Sequence, residues 1–325
     1  MPAASALAAA AAAAGLLLGS GAGADVVLTM QDPEITESSG LAVSGRDRDL
    51  VWTEEDGGQV AQVLGLDAEG DTVSTVTLAG IDPYDPEALA PGVDGKGRPL
   101  LYLGDIGDNN RERPDVSVFR FREPAERGDT TVEAQWYRFT YPDGPHDAEA
   151  LLVGPGGRIM IATKGFAGAG LYQAPKKLVT ADEGSNRLTR VGTVPALVTD
   201  GAYLADGSFV LRTYASVTRY HRPGEQVAHD SLPPQPQGES VAADGDRLLV
   251  GSEGQFSEVL AVPVPGGLAS PSPGSSSATG TPAPSAQPVS GTEDGWPVSQ
   301  WALAGVGVLV LLTGALVAAR RRRRG

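Results

Sequence analysis

Between Glu37 and Gly254 the sequence repeats one short pattern five times, and few folds accommodate such a chain. The pattern is a strand, a Gly/Asp turn and a second strand. It reads "ESSGLAVSGRDRDLVWTEEDGG" from Glu37, "EALAPGVDGKGRPLLYLGDIGDN" from Glu87 and "EALLVGPGGRIMIATKG" from Glu149. It returns as "DGAYLADGSFVLRTYA" from Asp200 and "GESVAADGDRLLVGSEG" from Gly238. Short apolar or alternating runs bounded by Gly, Asp, Asn or Pro read as strands, and helical periodicity is scarce. After each hairpin but the last, the sequence has room for two more strands. Four antiparallel strands recurring at about 40 to 60 residues make the blade of a β-propeller. The chain is therefore expected to be all-β, with five four-stranded blades, or six if one insertion conceals another. The fifth unit has only "SEVLAVPV" (Ser257 to Val264) after its hairpin, one strand too few. "DVVLTM" (Asp25 to Met30) is a strand without a unit. Pairing the two closes the ring and removes exposed sheet edges.

The ends of the 325-residue chain follow other rules. Residues 1–24 are an uncharged Ala/Leu run closing in Ala22-Gly23-Ala24, a small-x-small cleavage pattern that lacks the usual basic start. The span 298–319 contains "WALAGVGVLVLLTGALVAA" from Trp301, whose only polar side chain is Thr313. As a helix that run measures about 28 Å, close to the hydrocarbon thickness of a bilayer. The arginines of the tail, residues 320–325, then place the C-terminus in the cytoplasm and the body outside. Residues 266–297 are rich in Pro, Ser, Thr and Gly, bury almost nothing and are expected to form a disordered stalk open to O-glycosylation. The functional body is thus 25–265, expected as a monomer tethered to the plasma membrane through the C-terminal helix.

There is no cysteine, so no disulfide or thiolate metal site holds this ectodomain. The net charge is −15, and setting aside the five cytoplasmic arginines leaves −20 outside. Such a surface repels phosphate backbones and anionic lipid, excludes nucleic acid as a partner and favours cations.

The repeat also places acids. The start of one strand lies beside the end of its hairpin partner. Glu87 is expected beside Asp105, Glu37 beside Glu54 to Asp56, and Glu239 near Glu253, while Glu149 meets Lys164. The first two strands of a blade lie nearest the axis, so these groups converge on one mouth of the channel. His146, in "PDGPHDAEAL", is placed nearby and completes the candidate ligand site. Close carboxylates must bind a cation, accept backbone N–H bonds or retain protons. Capping the strand of a neighbouring blade and holding a ligand both remain open at this point. For a metal, Glu87, Asp105, Asp108 and Asn109 are the candidate set. Calcium suits such oxygen donors, although the EF-hand spacing is absent. No nucleophile elbow, zinc helix or phosphate loop occurs in the sequence. Arg111 and Arg113 read as an anion contact or as a charged turn.

The stretches "ESSGLAVS", "LLYLGDIGDNN", "YPDGPHDAEALLV", "PQGES" and "GSEG" resemble secreted propeller proteins of actinobacteria, and more loosely the SdiA-regulated and phytase-like propellers. The resemblance spans the body and implies a propeller at the cell surface, without a particular activity. Those relatives tend to carry Asn-Asp-Ser-Gly after the first blade's tryptophan, whereas "WTEEDGG" stands here. The phytase-like group binds calcium through acidic clusters at the channel mouth, which here implies Glu87, Asp105, Asp108, Glu149, Glu239 and Glu253. The resulting expectation is a cell-surface module that binds an unidentified extracellular ligand or protein, with calcium as its cation. A calcium-dependent hydrolase of phytase or esterase type and a structural envelope protein are the alternatives.

Overall fold

The structure, a computed structural model, describes residues 24–56, 60–166 and 169–268. Residues 1–23 of the expected signal segment, nearly all of the expected stalk, the expected membrane span and the arginine tail lie outside the described residues.

Strands are numbered along the chain, and β1 (Asp25–Thr29) comes first. Blade one comprises β2 (Leu41–Val43), β3 (Val51–Glu54), β4 (Gln62–Leu66) and β5 (Thr72–Leu78). Blade two comprises β6 (Pro86–Val93), β7 (Pro99–Asp105), β8 (Val116–Arg122) and, after a short β9 (Thr130–Val132), β10 (Gln135–Thr140). Blade three has β11 (Ala148–Gly154), β12 (Arg158–Thr163), β13 (Ala169–Gln173) and, after β14 (Asn186–Arg187), β15 (Thr189–Val194). Blade four has β16 (Val198–Tyr203), β17 (Phe209–Thr213), β18 (Ser216–Arg222) and β19 (Glu225–Ser231). Blade five has β20 (Gly238–Asp244), β21 (Arg247–Ser252) and β22 (Glu258–Pro263). Neighbouring strands within each blade are antiparallel, and the first strands, β2, β6, β11, β16 and β20, touch one another around the axis.

The fifth blade takes its fourth strand from the chain start. β1 pairs with β22 in the register Asp25↔Ala261 to Thr29↔Glu258, so the ring is closed by hydrogen bonds between its two ends.

Side-chain alternation explains the apolar strands. In "LLYL" of β7, Leu100 and Tyr102 enter the core shared with blade three, while Leu101 and Leu103 enter the core shared with blade one. A blade is buried on both faces, so its strands read as continuous apolar runs rather than alternating ones. Each of the five blade-to-blade junctions has its own hydrophobic cluster. A buried polar clamp accompanies some of them. Glu123 accepts hydrogen bonds from Gly45 N at 3.0 Å, Trp52 Nε1 at 3.0 Å and Ser44 Oγ, tying blade two to blade one.

Two short strands are additions to the expected pattern. β9 leaves blade two to pair in parallel with β5 of blade one, and β14 leaves blade three to pair in parallel with β10. Each insertion thereby covers the outer edge of the preceding blade, where bare backbone groups would invite another chain.

Candidate cation site at the channel mouth

The acids gather because a β-bulge recurs at the start of the inner strands. Pairing slips between Pro86 and Ala88, between Ala148 and Ala150, between Val198 and Asp200, and between Gly238 and Val241. The residue left out of the ladder is Glu87 in blade two, Glu149 in blade three and Thr199 in blade four, with Glu239 in the corresponding gap of blade five. A bulge re-aims the side chain it frees. Farther along the inner strands the channel turns apolar. Leu41, Leu89, Leu151 and Val241, from four blades, line a cavity of about 100 Å³ there, so the charge is confined to one end.

At that end the sectors differ. On blade three Lys164 Nζ lies 2.8 Å from Glu149 Oε1, and the ammonium sits over the Tyr214 ring at 5.3 Å. Burial lowers the affinity of Lys164 for its proton, but the charges of Glu149 and Glu239 more than reverse this and hold the group charged. Glu149 is pushed up to about 8, burial outweighing the pull of Lys164. On blades one and two, oxygen atoms of Asp56, Asp85 and Glu87 lie within 4.8 Å of one another. Burial raises Glu87 well above the usual carboxylate range, and the charges of Glu149, Asp56 and Asp85 raise it further.

Backbone hydrogen bonds identify equivalent places in these sectors. Lys164 N donates to Asp147 O at 2.8 Å, Glu253 N to Gln237 O at 2.9 Å, Asp56 N to Glu37 O at 3.0 Å and Gly107 N to Asp85 O at 3.0 Å. Where blade three carries Lys164, blade two carries no side chain at all. A Cβ on Gly107 would come within 2.6 Å of both Asp85 Oδ2 and Glu87 Oε1, so glycine is required for these carboxylates to stand where they do.

Glu54 is buried deeper in the ring. It is 0% exposed, and among the described residues neither carboxylate oxygen has a hydrogen-bond partner. Burial lifts its pKa well above normal, assisted by Asp56 and Glu55 on its own blade and by Asp200 and Glu253 from blades four and five. Ser240 Oγ, buried on blade five, likewise lacks a partner among the described residues. A buried polar atom without a partner costs about 1–3 kcal/mol.

The remaining sequence-derived candidates have other surroundings. Asp105 does not join Glu87 at the triad: its Oδ1 accepts from Asp85 N at 2.9 Å and from Arg113 Nη1 at 2.8 Å. Asp108 accepts from Glu112 N and Arg113 N, both at 2.9 Å, and so caps its own loop. Asn109 is exposed at the turn. The metal set Glu87, Asp105, Asp108 and Asn109 is therefore not gathered as a unit, and Asp56 and Asp85 accompany Glu87 instead. Arg113 is no exposed turn residue, since its side chain is 12% exposed against Asp105. His146 bonds Asp143 Oδ1 and the Tyr172 hydroxyl, each at 3.0 Å, and packs on Tyr141 apart from the carboxylates. Glu37 lies beside Glu55, whose oxygens accept its amide at 3.2 Å. Glu253 and Glu239 share Gln237 Nε2 as donor, and burial with the surrounding acids pushes Glu253 up to about 9. Strand capping across a blade junction does occur, at Asp200, which accepts from Val241 N at 2.7 Å. The signal that finds Asp85 is its place two residues before the bulged glutamate, matching Asp147 and Gln237.

The fold and site together define a five-bladed β-propeller with an acidic channel mouth. No protein-family model matches the sequence, and no curated protein matches it. Solved structures with a similar ring include a gluconolactonase from Xanthomonas campestris, at 12% identity over 72% of this chain and 89% of that one (TM-score 0.41). The PQQ-bound aldose sugar dehydrogenase of Streptomyces coelicolor gives 13% identity over 73% and 96%, with a TM-score of 0.40. Virginiamycin B lyase of Staphylococcus aureus gives 12% over 72% and 87%, with a TM-score of 0.38. At this level of similarity they bear on none of the chemistry of the mouth.

Proposed function

We propose that this propeller is a cation-dependent binding module, held outside the plasma membrane by its C-terminal segment, with calcium in the blade one and two sector of the mouth. The observation that carries the reading is the contrast between Lys164 and Gly107. Blade three answers its bulged glutamate with a built-in ammonium, whereas blade two sets Gly107 against Asp85 and Glu87, which gather with Asp56 in a cluster of three carboxylates. Three carboxylates with nearby carbonyls suit calcium, which takes six to eight oxygen ligands in adaptable geometry. Glu54, buried without a hydrogen-bond partner among the described residues and within the field of Asp56, adds a further oxygen donor once its proton is lost. A cation held there keeps positions for an external ligand bearing carboxylate, phosphate or hydroxyl oxygens, and the surrounding acids restrict entry to ligands that bridge through the metal.

Thermal melts of the protein in millimolar calcium and in chelator test the cation. A melting temperature that rises with calcium in the wild type, and does not rise in Glu87→Gln, supports the reading; identical melts in calcium and chelator refute it. Assays with phosphomonoester and carboxylic ester substrates test the rival. Calcium-dependent turnover that disappears in Glu87→Gln would make the mouth a hydrolase centre rather than a binding site.

A further inference from the structure

A different part of the molecule carries a second site. On the outer rim of blade two, a cavity of about 480 Å³ opens between β10 and the segment joining β13 to β14. We infer that it binds a saccharide, with a sugar ring stacked on Trp136 and its hydroxyl groups bonded by Arg138, Asp182 and Gln135.

The volume falls within the range of small-ligand pockets. The walls are fixed before any ligand arrives. Ala181 N donates to Trp136 O at 2.9 Å, and the buried Asn186 bonds Val179 N at 2.9 Å, Val179 O at 2.8 Å and Arg138 O at 3.1 Å. Trp136 is 46% exposed, although its ring also leans on Phe119, centroids 6.0 Å apart. Its indole N–H is already committed to Ser117 Oγ at 2.9 Å. What it offers is therefore an apolar face, the surface on which the C–H side of a sugar ring packs. The Arg138 guanidinium sits over the same ring, 6.0 Å from its centroid, anchored by Nη2 to Ala181 O at 2.7 Å with Nη1 3.9 Å from Asp115 Oδ2, and its buried Nε has no partner among the described residues. Asp182 and Gln135 are exposed at the rim; Asp182 Oδ1 accepts the Thr180 hydroxyl at 2.5 Å and Gln135 Oε1 accepts Tyr137 OH at 3.0 Å and Arg120 Nη2, so Asp182 Oδ2 and the Gln135 amide nitrogen are the groups that meet sugar hydroxyls.

Other occupants fit less well. An extended peptide would need the free edge of β10, yet the carbonyls of Trp136 and Thr140 already accept Ala181 N and Leu188 N, and β14 pairs beyond them. A nucleic acid is opposed by the charge of −15. A wholly apolar ligand would make no use of the polar groups of Gln135 and Asp182 exposed at the rim.

The test is titration calorimetry of the full chain with cellohexaose, chitohexaose and maltohexaose. At least one is expected to bind the wild type. Trp136→Ala should weaken that binding by about tenfold or more. Asp182→Ala, on an exposed turn, should weaken it by about threefold to tenfold without touching the core. Glu87→Gln and chelator should leave it unchanged, because the mouth is not involved. The inference is overturned if none of the three saccharides binds, or if both rim variants bind as the wild type does. It is also overturned if affinity follows Glu87→Gln or chelator while ignoring Trp136→Ala.

Discussion

Glu87 and Glu149 occupy the same bulged place in successive blades, yet only Glu149 is in direct contact with a cation. Glu149 meets Lys164 at 2.8 Å, whereas Glu87 stands with Asp56 and Asp85 and faces Gly107 where a lysine would be. The repeat delivers a carboxylate to the axis in both cases. What differs is the residue beyond the second strand, a lysine in direct contact with Glu149 and a glycine beside Glu87. The largest test of this contrast is to remove the internal cation. Lys164→Met should cost about 3–5 kcal/mol in a urea unfolding experiment, because a buried acid is left without its partner. Lys164→Met combined with Glu149→Gln should recover a large part of that loss. Equal stability of the single variant and the wild type would mean that Glu149 needs no partner, and the contrast would dissolve.

The sequence carried the architecture more clearly than the site. Five hairpins of one pattern, a fifth unit one strand short and a lone strand at the start leave little choice but a closed ring, and β1 pairs with β22 as that reasoning requires. The clasps β9 and β14 were not legible, since two or three residues carry no periodicity and their pairing is settled only by the adjacent blade. At the mouth, strand pairing correctly brought Glu149 to Lys164. Asp105 lies opposite Pro86 at the start of β6, as simple hairpin register puts it. Asp105 then answers to Arg113, a partner eight residues on in a loop that strand patterns do not describe. Asp85 was overlooked for a related reason: it precedes the strand and is recognised only by comparing hydrogen bonds across blades.

Calcium should produce the next largest effect, and pH sharpens it. A ligand that binds only the folded form adds about 2.7 kcal/mol at a hundredfold excess over its Kd. Glu149 and Glu253 have pKa values raised in the folded state, to about 8 and about 9. Raised acids bind more protons folded than unfolded, so their contribution is complete below the ordinary carboxylate range and is lost as pH rises through 8 to 9. In chelator the melting temperature should therefore fall between about pH 6 and pH 9. Calcium binds deprotonated carboxylates and burial holds Glu87 above the usual range, so its increment should grow as pH rises. A calcium increment that shrinks as pH rises would contradict carboxylate ligation.

Glu87→Gln and Gly107→Ala probe the blade two side directly. Glu87→Gln should remove most of the calcium increment and raise the unfolding free energy in chelator slightly, by about 1 kcal/mol or less, as like-charge crowding is relieved. Gly107→Ala leaves every charge in place but sets a methyl group 2.6 Å from Asp85 Oδ2 and Glu87 Oε1. It should also abolish the increment, this time with a loss of stability in chelator. If Gly107→Ala keeps the full calcium response, the glycine is not what holds the site open.

The smallest effect belongs to Asn109, and its smallness is informative. "GDIGDNN" invites a reading as one metal loop, but the structure divides its work residue by residue. Asp105 holds Arg113 and the Asp85 amide, Ile106 is wholly buried, Gly107 makes room for two carboxylates, and Asp108 caps the turn. Asn109 is exposed and lies beyond the residues that face the triad. Asn109→Ala should change stability by no more than about 0.5 kcal/mol, the usual range for a surface substitution, and should leave the calcium increment intact. Melts of this variant in calcium and in chelator check both statements. Loss of the increment would place a ligand at the tip of the loop and move the cation away from Gly107, so the difference between blades two and three would no longer rest on the lysine that one has and the other lacks.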